Sequence, residues 1–256
     1  MSWDAGYREW AAPAGLSGIA CLWARVVPSD GAETALVLPD GCVDLIWRQD
    51  REAIIAGPDT GPAPVPLPPG AVLVGARFRP GAGGPALGLP LDTLLDQRVE
   101  VAALHPRLAR RLDGGLSPAG ALDGVLAVAA ELVTSRPPDR LVGRAADLLA
   151  SPTTRVEALA RELALSERQL RRRFEAAVGY GPKTLQRVLR FRSFLARVDA
   201  GGSLPDLASA AADAGYADQA HLTRESTRLA GLPPAALLRS RRAPTSTARS
   251  AVSGSR

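Results

Sequence analysis

An α+β chain is predicted, with a small antiparallel β domain first, helices after it, and then an all-α region made of a repeated pair of helices. Three observations carry this reading. Residues 1–100 are short apolar runs separated by turn residues; from about Leu91 apolar residues recur three and four apart; and within residues 140–242 a set of residue types returns after 52 positions. The expected division is 1–139, a β-rich sensor or dimerisation domain with linking helices, then 140–242, then a disordered tail over 243–256, which is mostly Ser, Thr, Ala and Arg without apolar periodicity.

The runs 19–27, 34–38, 42–47, 53–56 and 71–78 are rich in Val, Ile, Leu and Trp, and each is bounded by Pro, Gly or Asp, which predicts strands. Pro39-Asp40-Gly41 between two of them is a hairpin signal. The stretch 57–70 holds six prolines and must be loop or edge, because proline cannot donate to a sheet ladder. Gly81 to Gly84 lacks the Lys-Ser/Thr pair and the dinucleotide spacing of phosphate loops, so it reads as a turn between a strand and a helix. Helical spacing then covers 101–112 and 119–133, and Pro137-Pro138 marks a boundary.

Composition narrows the function. At 256 residues, 46% hydrophobic and 22% charged, the chain can bury a core and is globular. The longest uncharged run, 60–76, is broken by five prolines and cannot span a membrane, and Asp4 and Glu9 spoil the positive start of a signal peptide. A cytoplasmic protein with no membrane partner is expected. Two cysteines, Cys21 and Cys42, and two histidines, His105 and His221, give neither a disulfide framework nor a metal-ligand spacing, so no metal and no cofactor are expected. Cys42 reads as a small core residue in a strand rather than a redox sensor, and His105 as a helix-surface residue. Trp3, Trp10, Trp23 and Trp47 fill the β core or line an effector pocket. Charge is segregated: residues 1–139 hold 11 Arg against 16 acids, net −5, whereas 140–256 hold 20 Lys and Arg against 10 acids, net +10. A basic half beside an acidic one suggests a polyanion-binding region joined to one that avoids the polyanion.

The repeat sharpens this. Ser166, Leu170, Arg172, Gly179 and Pro182 return as Asp218, Leu222, Arg224, Gly231 and Pro234. Each copy has an alanine-rich amphipathic helix (156–163 or 204–214), a turn, an N-cap residue, a second helix, and a glycine suited to a left-handed C-cap. Helix, tight turn, helix is the unit whose second helix enters a DNA major groove. In the first copy Leu170 and Phe174 face inward, leaving Arg168, Arg171 and Arg172 for bases or phosphates. Residues 184–198 have neither Gly nor Pro and read as one long helix that fixes the spacing of the two units.

The segments LARELALSERQLRRRFEAAVGYGP and AADAGYADQAHLTRESTRLAGLPP resemble the C-terminal DNA-binding domain of the AraC family of bacterial transcription regulators, the second through Gly215, Tyr216, Asp218, Leu222 and Arg224. PDGCVDLIW, AGPDTGP and VGARFRPGAG are more loosely similar to the β domain that precedes it in one group of these regulators. The resemblance implies a sequence-specific, non-enzymatic regulator that binds double-stranded DNA, with a small effector or a second protomer as partner of the first domain, and RNA polymerase as a partner if it activates. It also implies that Gln219, Ala220, Thr223 and Arg224 are the exposed positions of the second recognition helix. One departure stands out. The family has Phe where this chain has Ser226, the counterpart of Phe174, and a serine there buries less apolar surface, worth about 2–3 kcal/mol. The alternative is an enzyme built on the β domain and steered to DNA by the helical half. Two cysteines cannot make the cluster that fused DNA-repair activities use, and no histidine lies in residues 1–100 for a cupin metal site. No Ser, His and acid set suggests a hydrolase, so the expected catalytic set is empty.

Overall fold

The computed structural model describes residues 3–113, 115–200 and 206–242. The first part is antiparallel throughout: β1 (Gly6–Ala11), β2 (Ile19–Val26), β3 (Glu33–Val37), β4 (Val43–Arg48), β5 (Arg51–Ala56), β6 (Ala63–Leu67), β7 (Val72–Phe78) and β8 (Arg98–Glu100). Six of them form a sheet in the order β1-β2-β7-β4-β5-β8, and β3 pairs with β6 in a separate ribbon. Register explains the core. Leu22 and Leu45 both sit opposite Ala76, and Ala24 and Trp47 both opposite Val74, so one sheet face is continuously apolar. That face packs against the helix α4 (Pro118–Ser135) through Val125, Val128, Ala129 and Leu132. By length and composition α4 could cross a membrane, yet these residues sit in this core. On the other face Arg77 lies opposite Asp44 and bonds its carboxylate at 3.1 and 3.2 Å. Burial works against this charge, but Asp44 and Asp40 outweigh it and raise the Arg77 pKa.

Several expectations need correction. Pro39-Asp40-Gly41 does not close a hairpin: β3 pairs with β6, while β4 pairs with β5 and β7. The turn is real, with Gly41 at φ 82° and Asp40 Oδ1 accepting the Cys42 N–H at 2.9 Å, but it carries the chain from one sheet to the other. The hairpin instead joins β4 to β5 around Asp50, at φ 58°. Strand β6 alternates Pro64 and Pro66 within its ribbon, so the proline stretch contains an edge strand. Strands β1 and β8 lay outside the expectation; β1 is mostly exposed and half charged or polar, and β8 has three residues. The predicted helix 101–112 is two, α2 (Val101–Leu104) and α3 (Pro106–Leu112), because Pro106 cannot donate the bond that would join them. His105 sits half-buried at the break, its Nε2 2.9 Å from the Leu87 carbonyl, rather than on a helix surface. Cys42 precedes β4 instead of lying in it. Burial pushes its thiol well above the usual range and that of Cys21 up to about 11, so neither is a poised thiolate.

A second core begins at Val142 and runs to Leu238. It belongs to α5 (Arg140–Leu149), α6 (Val156–Glu162), α7 (Glu167–Val178), α8 (Pro182–Ala200), α9 (Leu207–Asp213), α10 (Gln219–Ala230) and α11 (Pro234–Arg242). The expected helix 204–214 starts at Leu207 among the described residues, and Leu204 lies outside them. The tail expectation over 243–256 also falls outside them. The short helix α1 (Gly83–Leu87) and the 3-10 turn Leu91–Leu94 come from the first part and lie against α7.

Candidate DNA interface

Both proposed recognition helices are terminated as their sequences require. Ser166 caps α7 by accepting the Gln169 N–H at 3.2 Å, and the Gln169 side chain returns the bond to the Ser166 N–H at 2.9 Å. Asp218 caps α10 through the His221 N–H at 2.6 Å. At the far ends Gly179 and Gly231 take φ of 96° and 71°, a left-handed conformation that a residue with a Cβ enters at a cost.

On α7 the buried residues Leu170, Phe174, Ala177 and Val178 define the inner face. Arg168 and Arg172 lie opposite, exposed and without a polar partner among the described residues. Arg171 is also exposed and pairs with Glu175 at 2.7 Å. The fourth arginine, Arg173, turns away to Asp139 at 3.0 Å, the residue that caps α5. On α10, Gln219, Ala220 and Arg224 are exposed; Thr223 is half-buried, its hydroxyl donating to the Gln219 carbonyl at 2.9 Å. His221 is half-buried and sets its ring edge-on to Tyr216 at 5.3 Å, a packing role. Thr227 and Arg228, which sequence reasoning passed over, are exposed on the same helix.

The second unit holds together differently from the first. Phe174 is fully buried, and its counterpart Ser226 is fully buried too, donating its hydroxyl to the Leu232 carbonyl at 2.7 Å. Beside it Glu225 points inward and takes two bonds from Arg187 of α8, at 2.8 and 2.6 Å. The guanidinium of Arg190 lies 5.6 Å from the centre of the Tyr216 ring. The sequence signals only that Glu225 needs a partner, as an acid three residues after Leu222 on the inward side of a helix; it does not say which residue supplies it. Burial raises the Glu225 pKa and the Arg187 bonds lower it; the balance is below the ordinary 4.5. The pair therefore stabilises fully above about pH 4.5, and the contribution is lost as pH falls through the lowered folded-state value. Glu225→Gln is expected to cost about 1–2 kcal/mol at neutral pH, between exposed and buried pairs because Arg187 is partly exposed. At about pH 3 the difference from the parent should have shrunk, which thermal unfolding at the two pH values measures.

Residues 159–240 match the helix-turn-helix domain family. They are an AraC-type helix-turn-helix domain. Such a domain binds DNA in transcription regulation, and that is the function of residues 159–240. Ahead of the AraC-type domain, residues 13–100 match a domain family of unknown function, DUF6597. No curated protein matches the chain in sequence. Among solved structures the chain is similar to ToxT from Vibrio cholerae. A 1.65 Å form shares 10% identity over 85% of this chain and 97% of that one, with a TM-score of 0.44. ToxT of strain O395 bound to (E)-4-(8-methylnaphthalen-1-yl)but-3-enoic acid shares 9% identity over 85% and 98%, at 0.46. The unsaturated fatty acid-bound protein of strain SCE256 shares 11% over 84% and 93%, at 0.42.

Proposed function

We propose that the regulator divides at Asp139 and sits on double-stranded DNA with α7 and α10 in successive major grooves. Arg168, Arg171 and Arg172 then face the first groove, and Gln219, Ala220, Thr223 and Arg224 the second. The observation that carries this is the pair of capped helices mounted on one uninterrupted rod, α8, whose 19 residues span about 28 Å. Two units so joined suit grooves about one turn, ~34 Å, apart. Footprinting of the full chain on its selected site should show protection of nearly two turns without a palindrome. Protection of one short half-site, or equal affinity for scrambled DNA, would overturn the reading.

Residues 1–139 serve as sensor or pairing domain in this proposal, with no catalytic chemistry, and the protein works in the cytoplasm. Their net charge of −5 disfavours phosphate. A groove lined by Trp3, Asp4, Gly6, Arg8, Trp10 and Val26 has space of about 10 Å³, room for one water molecule, so an effector bound at that place would have to open space for itself. Strand β1 pairs on one side only and carries exposed Tyr7, which supports pairing of two protomers there. Contact with RNA polymerase belongs to the activating version of the same reading.

A further inference from the structure

The segment 57–62, Gly-Pro-Asp-Thr-Gly-Pro, connects β5 to β6, and connecting segments ordinarily run over the surface. Here Gly57, Pro58 and Asp59 are buried. The loop is fixed from its own domain by several bonds. Arg98 holds both oxygens of Asp59, at 2.6 and 2.7 Å. The Gly57 N–H donates to the Gln97 carbonyl at 2.9 Å, and the Asp96 N–H to the Pro58 carbonyl at 3.1 Å. Asp96, itself at φ 56°, accepts both the N–H and the hydroxyl of Thr60 at 2.7 Å. Two prolines further restrict its backbone.

What this braced loop touches is specific. Pro58 lies on Gly179, the C-cap of α7, so closely that a Cβ there would come 2.6 Å from Pro58 Cγ. Pro62 lies on Gly231, the C-cap of α10, where a Cβ would come 3.3 Å from Pro62 Cγ. Between them Gly61 approaches the Arg228 carbonyl, 3.7 Å from its own virtual Cβ. One six-residue loop of the first domain thus rests on the ends of both recognition helices. The two helices are otherwise linked inside their own domain by way of α8, which contacts both. A rigid loop across both C-caps is a second link, and it belongs to the other domain.

We propose that loop 57–62 is a positioning element that sets the separation of α7 and α10, and so makes the first domain a determinant of the spacing this regulator accepts in DNA. The inference rests on the reading that both helices enter DNA. A displacement at either C-cap is carried along a 12-residue helix, about 18 Å long, to its DNA-facing half.

The test uses the full chain and a site selected from random DNA by the parent protein. Versions of that site lengthened or shortened by one or two base pairs between the two protected segments are then titrated with the parent, Pro62→Gly and Arg98→Gln. The parent should lose about tenfold or more in affinity for each mis-spaced site. In both variants this penalty should fall to about threefold, with affinity for the original site reduced by less than that. A variant that melts near the parent's temperature and keeps the full spacing penalty overturns the proposal, and so does a loss that is equal at every spacing. Should Arg98→Gln not fold, Pro62→Gly decides alone, since Pro62 is half-exposed at the loop's tip. Failure of the parent to protect two segments is separately visible: it removes the two-helix reading, and this inference with it.

Discussion

Phe174→Ala is expected to cost about 3–5 kcal/mol in unfolding free energy, measured by denaturant titration of the full chain. The ring is completely buried in the second core among Leu170, Val178 and Leu185, and helix ends capped on both sides leave little room for collapse around the void. Ser226→Ala, at the matching place in the other unit, should cost only about 1 kcal/mol, chiefly from leaving the Leu232 carbonyl without its donor. Equal losses at the two positions would contradict the account of one unit built on an aromatic plug and the other on a polar network.

Arg172→Ala is expected to weaken binding to the selected site by about 1–3 kcal/mol, roughly five- to 150-fold, if the guanidinium reads guanine. Folding should be untouched, because Arg172 is exposed and has no polar partner among the described residues. Arg173→Ala is the internal control: its guanidinium is held by Asp139 and should matter to the domain seam more than to base reading. Electrophoretic shifts on the selected site and a scrambled one separate the roles, since a phosphate contact weakens both alike. Unchanged affinity for both sites would remove Arg172 from the interface.

The helical half was legible because its signals are local. Ser166 and Asp218, Gly179 and Gly231, and the repeat between them each specify one backbone event, and the structure has all four caps. The β half was legible where apolar runs face a core, as with 71–78, and illegible where pairing is decided at a distance. Pro39-Asp40-Gly41 states that the chain turns, and nothing in those three residues chooses β6 over β4 as the partner of β3. Strand β1 escaped because its side chains are mostly exposed, so no apolar alternation marks it. The outward arginines of α7 could be read from helical spacing. The partnership of Arg187 with Glu225 could not, because it joins residues 38 apart across two helices. The burial of Pro58 was hidden for a related reason: a proline-rich stretch reads as surface until the neighbour that covers it is known.

Glycine at four points along the seam lets the halves approach closely, at Gly84 and Gly81 backbone to backbone. A Cβ on Gly84 would come 2.3 Å from the Ala176 carbonyl and one on Gly81 3.1 Å from the Gly143 nitrogen, while one on Gly41 would come 2.7 Å from the Leu185 side chain and one on Gly179 2.6 Å from that of Pro58. A chimaera that grafts residues 140–242 onto a foreign sensor would keep its own core and both helix pairs. It would nevertheless present bare carbonyls and two unsupported helix ends to whatever replaced the first domain. The two halves are separately patterned but jointly fitted, so exchanging sensors among such regulators requires carrying the seam along with the sensor.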